Sequence, residues 1–364
     1  MAFDPVEEDC SRLMLESMRR EHIYPLENLG YARRFIRSYT KDPSSLVRTD
    51  RDRSFHLIAK ATELIDYRIP FLTDESEMDA QAEQAGSYLE EAVELDQGNW
   101  DAQRMLAAID SESNDAYVSY LLDHREAVHS DLAKLEADAE DAAADPYSRE
   151  FARDLGTRPY LRWLAALSSR ALIAGQYRLA LDAAKESLDY QPKDPAGIRH
   201  TAMLALAKLE AAPEELEAFR IGHPEAYASR PSLRRRRRLG QDLDAWTLIA
   251  EMGAAYRALD YDRATERLSA LLQSYPNAAE PLYYQAEFPD GLYGRVNVEP
   301  NSEDELILAI SEATPLLQEG YGAPDCASFS LWISENELVQ KGLGPQPEGD
   351  GARADRHRPK RGEN

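Results

Sequence analysis

The sequence predicts an all-α fold in which antiparallel helix pairs stack side by side into an α-solenoid. Three observations carry that expectation. The composition leans to Ala, Leu, Glu, Asp and Arg, which are mostly good helix formers and poor strand formers. Alternating runs of Val, Ile and Thr are nearly absent, so little or no sheet is expected. A helix-pair pattern also recurs along the chain. Apolar residues make up 43% of the 364 residues, close to the globular average, which is enough to drive folding.

The first helix is expected from Asp4, an N-cap, with Pro5 at the first helical position and Glu7 behind it. A second helix follows Pro25. A third runs from about Ser54 through Phe55, Leu57, Ile58, Ala61, Leu64 and Ile65, and stops before Pro70. Its spacings of one, three and four gather those side chains on one face. These helices make an N-terminal segment, 1–78.

From Asp79 the texture becomes repetitive, and the expected array spans 79–343. The clearest unit runs from Pro159 to Pro192, with Leu164, Leu167 and Ala171 on its first helix, a turn at Gly175, and Ala180, Ala184 and Ser187 on its second. A matching unit runs from Asp244 to Pro276. Tyr177 and Tyr261, Ala180 and Ala264, and Pro192 and Pro276 are each 84 residues apart. A half-unit around Ala85, Leu89 and Ala92 fills the corresponding slots. Small residues let two helices approach closely, and the proline stops the second helix and redirects the chain. One such pair cannot cover its own apolar face, so pairs stack.

Between Ser113 and Leu155 the chain reads as helical but poorly matched to the repeat. Asp131, Glu136, Asp138, Glu140, Asp141 and Asp145 mark an acidic, solvated helix. The string from Phe288 to Asn301 reads as a loop, Ser302 with Glu305 as a capping box, Pro315 as a break, and a last helix surrounds Trp332. The tail 344–364 is polar, punctuated by Gly and Pro, and expected to be disordered.

Charge narrows the function. The net charge of −24 and pI near 4.7 repel phosphate backbones and anionic membrane surfaces, so nucleic acid is disfavoured and no membrane partner is expected. Cys10 and Cys326 form no framework, and the N-terminus has no signal-peptide apolar region. A cytoplasmic location is therefore expected.

Chemistry is scarce. No two histidines stand at zincin spacing, no phosphate-cradling glycine loop and no nucleophile elbow occur, and neither cysteine stands in a nucleophile context. No catalytic residue, metal site or cofactor is expected. The most unusual string is Arg234, Arg235, Arg236, Arg237 and Arg238. As a helix it would cover every face, so a single flat anion patch needs an irregular backbone.

The units at Pro159–Pro192 and Asp244–Pro276 resemble tetratricopeptide repeats, on Gly175, Tyr177, Ala180 and Pro192 in one and Tyr261, Ala264 and Pro276 in the other, with Leu259 where glycine is usual. From Arg158 to Trp332, RPYLRWLAAL, Gly175 and YQPKDPAGIRH are similar to the suppressor-of-tumorigenicity type of tetratricopeptide-like protein and its bacterial relatives. Gln191 and His200 stand where that pattern has Asn and Tyr.

The resemblance implies a right-handed α-solenoid whose first helices line a concave groove that binds a protein or peptide. In that frame Arg162, Ser169 and Leu172 face inward in one unit and Trp246, Gly253 and Tyr256 in the other, with Arg199 and His200 on the unit between. Arginine can fork onto a carboxylate, and Trp and Tyr supply apolar contact. Ala165 and Ile249 replace the lysines of clamp-type repeats, so that mode is not expected. The alternative is anionic-ligand binding, RNA or a phosphorylated partner, through Arg234–Arg238. A cryptic enzyme ranks below both.

Overall fold

The computed structural model describes residues 4–23, 28–142, 146–228, 243–285, 298, 301–318 and 328–343, and all regular structure among them is helical. The first helix, α1 (Pro5–Glu21), starts as its sequence demands. Asp4 accepts from the backbone N–H of Val6 and of Glu7, both at 2.9 Å. α2 (Leu29–Lys41) folds back on α1, and Leu13, Met18, Tyr31, Phe35 and Tyr39 form a small core between them.

After a 3-10 turn (Pro43–Leu46), α3 (Asp50–Tyr67) begins four residues earlier than its apolar stripe suggests. The reason is a capping box: Thr49 Oγ1 accepts from Asp52 N–H, and Asp52 accepts from Thr49 N–H. A second 3-10 turn (Ile69–Phe71) carries Pro70, and α4 (Glu75–Leu95) then packs along α3. The boundary drawn from sequence at residue 78 thus falls inside α4, and Leu57, Ala61 and Leu64 share one core with Ala85, Leu89 and Ala92.

α5 (Trp100–Asp110), α6 (Asn114–Ala142), α7 (Pro146–Ile173) and α8 (Tyr177–Tyr190) follow. α6 is more than a solvated helix. It lies along α7 and buries Val118, Leu121, Val128 and Leu132, while Asp131 accepts from Trp100 Nε1 at 2.8 Å. The acidic side chains at 136–145 lie outside the description. Pro159 does not open the unit; α7 starts at Pro146 and runs through it. A proline has no N–H for the carbonyl four residues back. That carbonyl, Leu155 O, accepts instead from Arg12 Nη2 of α1 at 3.0 Å.

The chain continues with α9 (Arg199–Lys208), α10 (Pro213–Gly222), α11 (Ala245–Arg257) and α12 (Tyr261–Ser274). It closes with α13 (Ala279–Tyr284), α14 (Glu303–Glu312), α15 (Thr314–Leu317), α16 (Phe329–Glu335) and α17 (Glu337–Gly342). Ser302 caps α14, and Pro315 sits where α14 has ended and α15 begins. Pro192 and Pro276 each stand two residues beyond the end of a helix, α8 and α12.

Three second helices carry one packing code. Ala85, Leu89 and Ala92 on α4, Ala180, Ala184 and Ser187 on α8, and Ala264, Leu268 and Leu271 on α12 share the spacing i, i+4, i+7, and all nine are buried. That stripe faces the preceding helix, so the pairs α3–α4, α7–α8 and α11–α12 pack by the same rule. Neighbouring pairs also touch: α5 meets α7, α7 meets α9, and α9 meets α11. Most of the buried side chains from Tyr117 to Val339 form one continuous core. The turn of α7–α8 needs a left-handed residue, supplied by Gly175 at φ 77°; the equivalent turn of α11–α12 forces Leu259 to φ 60°. No helix among the described residues is long and apolar enough to cross a membrane.

Candidate functional site

A cavity of about 520 Å³ opens along the faces of α1, α3, α5 and α7. Helical periodicity builds its walls. On α7 the lining residues are Arg162, Ala165, Ala166, Ser169 and Arg170; on α5 they are Asp101, Arg104, Met105, Ala108 and Ile109. Both sets follow i, i+3, i+4, i+7, i+8, a single helix face. α3 adds Phe55, Ile58, Thr62, Ile65 and Asp66, and α1 adds Pro5, Glu8, Asp9 and Arg12. Ile198 and Thr201 at the start of α9 and Glu312 of α14 close the far side. The wall is thus mostly apolar, with charges set at intervals.

Most of those charges are engaged within the protein. Arg162 forks in two directions. Its Nε and Nη2 donate to Asp101 at 2.8 and 2.5 Å, and its Nη1 and Nη2 donate to Glu8 at 2.8 and 3.0 Å. Glu8 also accepts from Arg12 at 2.8 Å and lies 3.5 Å from Arg158. Burial works against the charged form of Glu8, but the guanidinium groups of Arg162, Arg12 and Arg158 outweigh it and hold the carboxyl well below the usual range. Asp101 is lowered in the same way: burial opposes, and Arg162 and then Arg104 prevail. This network ties α1, α5 and α7 together at one end of the cavity.

Asp9 is likewise occupied. Tyr39 donates to its Oδ2 at 2.7 Å, and His56 Nδ1 lies at 2.7 Å from the same oxygen. On the opposite rim Arg170 donates to Asn114 Oδ1 at 3.2 Å, and Glu312 accepts from Trp246 Nε1 at 2.6 Å. Asp66 differs. Burial raises its carboxyl above the ordinary carboxylate value against the single opposing pull of Arg104.

The residues singled out from sequence are divided by this geometry. Arg162 and Ser169 line the cavity, Arg162 with its guanidinium engaged. Leu172 is buried in the core. Arg199 and His200 are not on an open face; they are 7% and 5% exposed. Arg199 donates to Asp194 at 2.9 Å and lies 3.6 Å from Asp244, while the His200 ring stacks on Trp246 at 4.1 Å. Burial disfavours the Asp244 carboxylate, but His200 and Arg199 outweigh it and pull its pKa down. Trp246 is buried, and Tyr256 is half-buried against Phe329 and Trp332 with ring centroids 5.2 and 5.5 Å away. Arg234–Arg238 lie outside the described residues, as do Cys326 and the tail 344–364.

Sequence reasoning missed Glu8, Asp66, Asp101, Arg104 and Arg170. The signal for α5 was present, since Asp101, Arg104, Met105 and Ala108 keep the spacing of the α7 face. Asp66 and Glu8 were hidden by assigning their helices to a segment apart from the array. Among the described residues no cluster of three or more His, Cys, Asp or Glu side chains is arranged to hold a metal ion. No family model, curated protein or solved structure matches this chain.

Proposed function

We propose that this chain is a non-catalytic scaffold, a right-handed α-solenoid of tetratricopeptide-like helix pairs that binds a protein or peptide segment in the groove along α1, α3, α5 and α7. The observation that carries the reading is the cavity itself: about 520 Å³, walled by helix faces with the same register, with an apolar floor and spaced charges. Peptide grooves combine apolar contact area with a few placed polar groups. Support also comes from the recurring buried i, i+4, i+7 stripe on α4, α8 and α12 and from the packing of α5, α7, α9 and α11 one on the next. Arg162 contributes by shaping the groove end, since charge reversal there would break its bonds to Glu8 and Asp101.

Site-specific photo-crosslinking in a lysate of the native cells tests the reading. Ile109 is 59% exposed on the cavity rim, whereas Ile221 is 65% exposed and lines no part of it. A photoreactive residue at Ile109 should capture discrete proteins that the same residue at Ile221 does not. Equal capture at both positions, or none at Ile109, overturns the proposal.

A further inference from the structure

The cavity holds five carboxylates, and four of them already have partners. Glu8 and Asp101 face arginines, Asp9 meets Tyr39 and His56, and Glu312 accepts from Trp246. The carboxylate of Asp66, in the last turn of α3, has no hydrogen bond or ion pair to any described residue. The cation acting on it, Arg104, has its Nη2 3.7 Å from Asp101 Oδ1 and forms no ion pair with Asp66.

A carboxylate on a partly buried wall with no direct partner weakens the fold, and burial does push the Asp66 carboxyl up against the more distant pull of Arg104. Groups held at such a cost concentrate at binding sites. The same wall carries Ile65, Met105 and Ile109, which suit the aliphatic stem of a long cationic side chain. The chain's net charge of −24 favours approach of a cation over an anion.

Building on the groove reading above, we propose that Asp66 is the recognition carboxylate for a lysine or arginine side chain of the bound segment. The incoming cation gives Asp66 the partner that the fold withholds, while its stem covers the apolar wall. Arg170, across the cavity on α7, offers the opposite charge, so an acidic segment is the outcome the test has to separate.

The experiment is fluorescence polarisation with labelled short-peptide pools that fix Lys, Arg, Glu or Leu at the centre. They are titrated against the full chain, Asp66→Asn and, as a control for lost charge, Glu90→Gln at an exposed position of α4 outside the cavity. The Lys and Arg pools should bind ahead of Glu and Leu, weaken about tenfold on Asp66→Asn, and be unchanged by Glu90→Gln. A structural aspartate would destabilise the protein when replaced; here Asp66→Asn should raise the thermal midpoint at pH 7 by about 1–2 °C. A leading Glu pool, cationic pools indifferent to Asp66→Asn, a lowered midpoint, or no binding by any pool each overturns the assignment. The Ile109 crosslink then judges the groove separately: capture at Ile109 and not at Ile221, alongside any of these overturning outcomes, keeps the groove and discards the role of Asp66.

Discussion

On α7, Arg162 and Ser169 lie on the wall of an open cavity. On α11 the equivalent positions, 84 residues on, are Trp246 and Gly253, with Tyr256 a turn further, and all three are covered from above. Trp246 donates to Glu312 of α14, a Cβ at Gly253 would lie 2.9 Å from Leu316 Cδ2 of α15, and Tyr256 packs on Phe329 of α16. The second helices of the two pairs, α8 and α12, meanwhile bury the same i, i+4, i+7 stripe. The packing code is therefore a property of the pair, whereas openness of the first helix's remaining face depends on what the chain does some sixty residues later.

The strongest way to break this comparison is at the charged end of the α7 face. Arg162 is the cation that Glu8 and Asp101 share, and removing it leaves two buried carboxylates without their main partner, so Arg162→Ala should cost about 3–5 kcal/mol in urea unfolding. The same network sets a pH dependence. The carboxyls of Glu8 and Asp101 lie below their ordinary values of 4.5 and 3.8 in the folded chain. Their contribution is thus fully present above those values and lost as pH falls below them. Thermal midpoints should drop from about pH 5 downward, and Arg162→Met should flatten that drop, because the main cation holding both carboxylates is gone.

Next in size is a paired substitution that reads the cover directly. Gly253→Leu forces a side chain into Leu316 and should cost about 2–3 kcal/mol, as overpacked sites do. Ser169→Leu, at the matching place over the cavity, should stay within about 0.5 kcal/mol. Equal costs at the two sites would show that the α7 face is covered too.

The smallest effect sharpens the likeness between the pairs. Leu259 is held at φ 60° with 71% of its surface exposed, so its left-handed backbone is not repaid by packing. Leu259→Gly should stabilise the protein by about 1 kcal/mol, and Gly175→Leu should destabilise it by about 1–2 kcal/mol. Both are readable as shifts of the unfolding midpoint at unchanged slope.

Much of this was legible beforehand because it is local. The Asp4 cap, the breaks before Pro192 and Pro276, the turn at Gly175 and the stripe of Ala180, Ala184 and Ser187 follow from backbone chemistry and a 3.6-residue period. Pro159 shows where such reasoning stops. A proline normally marks a helix start, but here it lies within α7, and the Leu155 carbonyl it frees is taken up by Arg12 from 143 positions away. The candidate site was half legible. Arg162 and Ser169 were placed on the groove wall, but Arg199, His200 and Trp246 were assigned to an open face that folding buries.

By itself, then, the sequence determined that the chain is helical, where several helices begin or end, and which side chains form the buried stripe of the pairs that it recognised. Those features are set by neighbours within one or two turns. Tertiary structure alone decided that α1 bridges α3 and α7, that α14 to α16 cover α11, and that Asp66 shares a cavity with Arg104 without pairing to it. Each of these joins residues tens to more than a hundred positions apart. Their meeting is selected by the free energy of the whole packed chain, which no local period or cap encodes.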